Sequence, residues 1–181
     1  MITGLDHIVV LVGDIGAAKA AYQTLLARAP AWQNSGEGAD RVLFTLDNMT
    51  IELMAPHGFS VTADRMRALL GDQEGILASL CFRVADIGKM HRRLERVALR
   101  PDTVAEVESS DAATNAVLHW KRTRAATELT RGVRMFLPGA GRRASEVGRD
   151  RHRVDRGARP RRRHHGGFRA RRRALRRPAG P

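Results

Sequence analysis

One cysteine, Cys81, is all the chain contains, so neither a disulfide framework nor a cysteine-based zinc site can form within it. No apolar run approaches the roughly 18 residues needed to cross a bilayer. The N-terminus has no basic start, and Asp6 interrupts its apolar run, which is not the pattern of a secretory signal. Phosphate loop, nucleophile elbow and dinucleotide fingerprint are all missing. These absences leave a soluble cytoplasmic protein with no membrane partner as the expectation.

Lysine is absent from the last 40 residues, where arginine abounds. Residues 142–181 hold 16 arginines and three acidic side chains, which accounts for the whole formal charge of +13. Residues 1–141 carry 16 basic and 16 acidic residues. Within 142–181 only Val147, Val154, Phe168 and Leu175 are large and apolar. Such a segment cannot bury enough surface to offset its ordering entropy. Residues 138–181 are therefore expected to form a basic, low-complexity, disordered tail. Residues 1–137, at an ordinary domain size, can hold a core.

What is present is a repeat. The stretch GLDHIVVLVGDIG at residues 4–16 returns 72 residues later, degraded, as LASLCFRVADIG at 77–88, so that Val12 falls on Val84, Asp14 on Asp86 and Gly16 on Gly88. Each copy is an apolar run of strand length, then an aspartate suited to cap a helix, then an amphipathic segment. Two similar modules built side by side are the simplest source of such a pattern. Residues 5–12 read as a strand and 15–28 as a helix stopped near Pro30. Strands follow near 31–34, 41–46 and 49–55, the last two joined by a hairpin turn at Asp47-Asn48. A linker helix is expected over 61–71, capped by Thr62 or Asp64 and closed by Gly71. The second module repeats the order with a strand at 76–84, a helix at 87–99 and strands near 103–108, 116–122 and 132–137. The modules thus span 1–56 and 75–137.

On a strand, residues two apart share a face. If the Glu52 face of its strand looks the same way as His7, an imidazole and a carboxylate converge, a pair suited to zinc, nickel, manganese or iron. A hydrogen-bonded histidine near a strand start and a glutamate at a solvated edge account for the same residues without chemistry. His119 and Trp120 alternate on a strand, so one of them faces inward and can contact a ligand. Arg122 and Arg124 can pair with an acidic substrate or simply end a solvated strand. His57 reads as a surface linker residue, His91 as part of a polar helix face, and Cys81 as a buried inert thiol.

Leu5-Asp6-His7-Ile8-Val9-Val10 with Val12-Gly13-Asp14-Ile15, followed by Thr50-Ile51-Glu52-Leu53, resembles the vicinal oxygen chelate (VOC) superfamily, which includes the glyoxalase I, bleomycin-resistance and extradiol-dioxygenase proteins. The resemblance covers residues 3–137. It implies an α+β fold in which two βαβββ modules form a glyoxalase-like curled sheet around an open cavity. It also implies metal ligands from a histidine on the first strand and a glutamate on the fourth strand of each module. His7 and Glu52 match the first pair. In the second module Ser79 stands where the histidine belongs, and residues 133–139 offer no carboxylate. Two of the four implied ligands are missing, while a catalytic metal normally takes about three protein ligands.

The function implied is binding of, or action on, a small organic molecule. The domain would descend from a metal-dependent lyase, isomerase or dioxygenase and retain an incomplete site for a divalent metal. A drug-sequestering module that binds without chemistry is the alternative. Nucleic-acid binding through the arginines stands third, weakened by the lack of lysine and of aromatics beyond Phe168. The partners expected are a small-molecule ligand and, through a homodimer, a second copy of the chain able to complete the site.

The tail also reads as a frameshift product. Back-translating Ala158–Pro181 with free third bases and reading one base further on permits LDHVVVTTAD, then serine or phenylalanine, then ERAAALYGARLGL. That is the motif of residues 5–14 with its helix attached. Over Leu137–Ala140 the same shift permits FLEL, which restores a carboxylate to the last strand. The intact protein would then be longer, with a second domain of the same kind beginning near Ala158.

Overall fold

The computed structural model of the protein describes residues 1–139. The expectations of a disordered tail and of an out-of-frame segment fall almost wholly on residues 140–181, outside the described residues.

The first module runs β1 (Ile2–Val12), α1 (Ile15–Leu26), β2 (Trp32–Gly36), β3 (Ala39–Thr45) and β4 (Thr50–Pro56). The linker helix α2 (Val61–Leu70) leads to β5 (Gly75–Val84), α3 (Ile87–Arg96), β6 (Ala105–Ser110), β7 (Val117–Arg124), a 3-10 helix (Thr127–Thr130) and β8 (Met135–Pro138). The two aspartates of the repeat do the same job. Asp14 Oδ1 accepts from the backbone N–H groups of Gly16 and Ala17 at 2.7 and 3.0 Å. Asp86 Oδ1 accepts from Lys89 N at 2.9 Å. Helix α1 ends earlier than Pro30 requires, because Ala27 already turns left-handed with φ 50°. Helix α2 is capped by Ser60, whose hydroxyl accepts from Ala63 N at 3.0 Å, and not by Thr62 or Asp64. Gly71 closes it with φ 56°, a conformation that glycine adopts at little cost.

All eight strands form one curled sheet in the order β2-β3-β4-β1-β5-β8-β7-β6. Each module pairs its first and fourth strands in parallel, β1 with β4 and β5 with β8, while β1 and β5 join the modules antiparallel. The register carries a two-fold relation. Ile8 pairs with Leu80, its own copy 72 residues on, while His7 pairs with Cys81 and Val9 with Ser79. The outer strands β2 and β6 come together without a ladder. Trp32 Nε1 donates to Ser109 Oγ at 3.1 Å, Gln33 N to Asp111 Oδ1 at 3.0 Å, and Asn34 Nδ2 to Ser110 O at 2.9 Å.

Alternation along the strands sorts side chains to the two faces of the curl. Val42, Phe44 and Leu53 face outward and pack under α1 with Ile15, Tyr22 and Leu26. Val84 and Leu137 do likewise under α3 with Met90 and Leu94. Leu11, Ala39, Met66 and Leu70 cluster where α2 lies against the sheet. The opposite face is left to line a cavity. Among the described residues no helix is long and apolar enough to cross a membrane.

Candidate functional site

The inner face of the curl encloses a cavity of about 870 Å³. His7 on β1 and Glu52 on β4 both open onto it. Parallel pairing sets Val9 opposite Glu52 and His7 opposite Thr50, so the two functional side chains lie diagonally on one face. His7 Nε2 stands 3.3 Å from Glu52 Oε2. Of the two arrangements that residue spacing left open, the fold adopts the one in which imidazole and carboxylate converge.

The pair sits within a chain of charges. His7 Nδ1 is 3.0 Å from Asp6 Oδ2, and Arg83 Nε is 3.2 Å from Asp6 Oδ1. On the other side Arg41 Nε is 3.7 Å from Glu52 Oε1. Burial by itself pulls the His7 pKa down. The hydrogen bonds to Asp6, Cys81 and Glu52 outweigh it and hold the imidazole well above its ordinary 6.5. Burial raises the Glu52 carboxyl, but the His7 hydrogen bond and the charges of His7, Arg41 and Arg122 bring it below its ordinary 4.5. Both shifts favour the charged forms of the pair, and a carboxylate stands at each ring nitrogen of His7. Thr50 Oγ1, beside it, is buried without a hydrogen-bond partner on the cavity wall.

Adjacent strand residues normally point to opposite faces, so sequence spacing did not mark Asp6 as a partner of His7. A register shift between Leu5 and His7 breaks the alternation and brings the Asp6 carboxylate onto the same ring. Such bulges re-aim side chains.

The two-fold relation locates the second half of the site. Val9 lies opposite Glu52, and its copy Cys81 lies opposite Phe136. Phe136 thus occupies the place of Glu52, as Ser79 occupies that of His7. Three guanidinium groups surround the Phe136 ring: Arg122 at 5.3 Å, Arg124 at 5.9 Å and Arg134 at 6.0 Å from its centre. Arg124 pairs with Asp102 at 3.0 Å. Burial, with the charges of Arg124 and Arg122 nearby, keeps the Arg134 pKa below its ordinary value.

Among the described residues no group of three or more His, Cys, Asp or Glu side chains is placed to hold a metal ion. His7 and Glu52 supply only two ligands, short of the three that a catalytic metal normally takes. Across from them stand a hydroxyl, a phenyl ring and three cations. These residues do not fit a resident divalent metal.

Of the other residues singled out from sequence, Trp120 and Arg122 line the cavity. His119 stands on the opposite face of β7, 71% exposed, with Nδ1 3.5 Å from Glu108. His57 is exposed beside Asp40 at 3.3 Å. His91 lies on α3 with Nε2 3.1 Å from the Asp102 carbonyl. Cys81 is a buried free thiol, raised above its ordinary 9.0 chiefly by burial. Arg41, Arg83 and Arg134 complete the site, and no short motif announces them.

Two modules, each pairing its first and fourth strands in parallel and joined antiparallel into one curled sheet over a cavity, define the VOC fold. The chain belongs to the glyoxalase-like domain family, whose model matches residues 5–159. Solved structures agree in fold. A methylmalonyl-CoA epimerase from Mycobacterium tuberculosis is similar at 24% identity and a TM-score of 0.60, over 76% of this chain and 88% of that one. A variant of the Streptomyces coelicolor methylmalonyl-CoA epimerase, in complex with 2-nitronate-propionyl-CoA, is similar at 15% identity and 0.60, over 77% and 99%. A hypothetical protein from Bacillus halodurans C-125 is similar at 15% and 0.57, over 77% and 95%. No curated protein matches the chain.

Proposed function

We propose that the chain binds a small organic molecule in the cavity of its curled sheet, with the His7 imidazolium as the hydrogen-bond donor that fixes the ligand's oxygen. One observation carries the reading: a cavity of about 870 Å³ with a half-buried His7–Glu52 pair in its wall, 3.3 Å apart. Such a volume suits a small-molecule site, and a polar pair with shifted pKa values inside it is the usual mark of function. Trp120 and Arg122 line the same cavity and would contact the ligand, whereas His119 would not. Similar methylmalonyl-CoA epimerases solved with 2-nitronate-propionyl-CoA and with methylmalonyl-CoA support a carbonyl compound as the kind of molecule bound.

Whether chemistry follows binding divides the two functional readings. An enzymatic role would have His7 stabilise negative charge developing on a substrate oxygen. A sequestering role would leave the ligand unchanged. The unmatched second half of the ligand set favours a mode without a resident metal in either case. A divalent ion would need ligands from a second copy of the chain or from a corrected reading frame.

The test is a ligand screen on the full chain, read by tryptophan fluorescence and thermal shift. It is run with EDTA and again with zinc, nickel, manganese or iron(II). Binding of a carbonyl compound that survives EDTA and weakens about tenfold in His7→Ala, as loss of a charge-assisted hydrogen bond demands, is the expected result. Binding that appears only with metal, or that ignores His7→Ala, would overturn the reading.

A further inference from the structure

The two modules place an arginine at equivalent points. Arg41 pairs with Met54 on the β3–β4 ladder, two residues past Glu52, and Arg122 pairs with Pro138 on the β7–β8 ladder, two residues past Phe136. In the first module the guanidinium has its carboxylate, since Arg41 Nε is 3.7 Å from Glu52. In the second module Phe136 stands where that carboxylate would be. Arg122 lies over its ring at 5.3 Å and Arg134 at 6.0 Å. Neither forms an ion pair with a described acidic residue, while Arg124 beside them is already matched by Asp102. Arg122 is exposed and Arg134 half-buried, and both line the cavity.

From this asymmetry we infer that Arg122 and Arg134 form an anion clamp, and that the cavity takes a small organic anion whose carboxylate or phosphate supplies the charge Glu52 supplies in the first module. The inference rests on the reading of the cavity as a small-molecule site and names the class of molecule. Two guanidinium groups held by an aromatic face present forked donors to the planar or tetrahedral oxygens of such a group. Glu52 acts on Arg122 only at longer range, so bringing two cations together with no acid in ion-pair contact is unfavourable, and an anion relieves it. The clamp lies in the same cavity as His7, so a ligand anchored by its acid end can present a second oxygen to the imidazolium.

The chain's own fluorescence can test this. Its two tryptophans, Trp32 and Trp120, both line the cavity, so quenching reports on the cavity and not on the arginines beyond residue 141. Malonate and inorganic phosphate are titrated as the carboxylate and phosphate arms, with malonamide as the neutral match and Nile red as an uncharged filler. Saturable quenching by either anion, at least about tenfold tighter than by malonamide and lost about tenfold in Arg122→Gln and Arg134→Gln, is expected. Arg122→Lys keeps the charge and should recover part of the loss, which separates the clamp from damage to the fold. Affinity unchanged in both Gln variants, or malonamide binding as tightly as malonate, would overturn the inference. If Nile red fills the cavity while neither anion binds, the clamp falls and the small-molecule reading stands. If nothing enters, both fall.

Discussion

The two halves of the molecule share a backbone and differ in chemistry. Each runs strand, helix and three strands, each caps its helix with the same aspartate, and the register of β1 on β5 relates one to the other. Yet the inner face of the first half carries His7, Glu52 and an Arg41 that is paired, while the second carries Ser79, Phe136 and an Arg122 that is not. The outward positions of both halves stayed apolar because they pack under α1 and α3, where a lost methylene is felt at once. The inward positions face a cavity and are free to change with the ligand. Fold symmetry is held by the core, and functional asymmetry is confined to the cavity wall.

The sharpest way to break that comparison lies in the gene. The proposed frameshift would place a carboxylate at position 139, through the FLEL permitted over Leu137–Ala140, just past β8 and three residues beyond Phe136. The DNA should then read CGA for Arg159, CCA for Pro160 and CTA for Leu175. Sequencing decides it, and another third base at any of the three codons ends the proposal. Building the missing half tests the same asymmetry in the protein. Ser79→His together with Phe136→Glu should raise zinc or nickel affinity about a hundredfold or more, because a third and fourth ligand then join the site. Calorimetry that finds the double variant no tighter than the native chain would show that the cavity geometry, not the residue types, is at fault.

Much of this was legible before any coordinates. The repeat and the period-two patterning carry the order of strands and helices, and the spacing of His7 and Glu52 left open a convergence that the fold brings to 3.3 Å. What stayed hidden depended on backbone detail or on long-range contact. Asp6 needed the register shift beside it. Ser60 caps α2, but Thr62 and Asp64, in the same short stretch, are equally good capping residues. The β2–β6 seam joins Trp32 to Ser109, residues with no local reason to meet. Arg134 gains its meaning only from the ring of Phe136 and the two arginines around it.

A smaller effect follows from pH. Removing the carboxylate in Glu52→Gln should cost about 1.5–3 kcal/mol, the range for hydrogen bonds to charged groups. The His7 pKa is raised on folding, so its contribution is complete below its ordinary 6.5 and is lost as pH rises through the higher folded value. The Glu52 pKa is lowered, so its contribution is complete above its ordinary 4.5 and is lost as pH falls through the lower folded value. The gap in melting temperature between the native chain and Glu52→Gln should therefore be widest between these two ordinary values and narrow on either side. Melts across pH would check it, and a gap that keeps widening into alkali would contradict the charged pair.

The smallest expected effect tests whether the halves really match where they look alike. Asp14 and Asp86 occupy the same place in the repeat, yet Asp14 accepts two backbone N–H groups and Asp86 Oδ1 chiefly one, at 2.9 Å. Asp14→Ala should cost about 1 kcal/mol, the usual loss for an N-cap, and Asp86→Ala less. Lys89 Nζ lies 3.8 Å from the Asp86 carboxylate, a contact exposed to solvent and screened by salt. Paired melts of the two variants at low and high salt separate the contributions. The Asp14 loss should hold steady, because its bonds to Gly16 and Ala17 owe little to distant charge, while the Asp86 loss should shrink as salt rises. Equal losses at both salt concentrations would mean that the caps are interchangeable and that the asymmetry of the molecule is confined to the cavity.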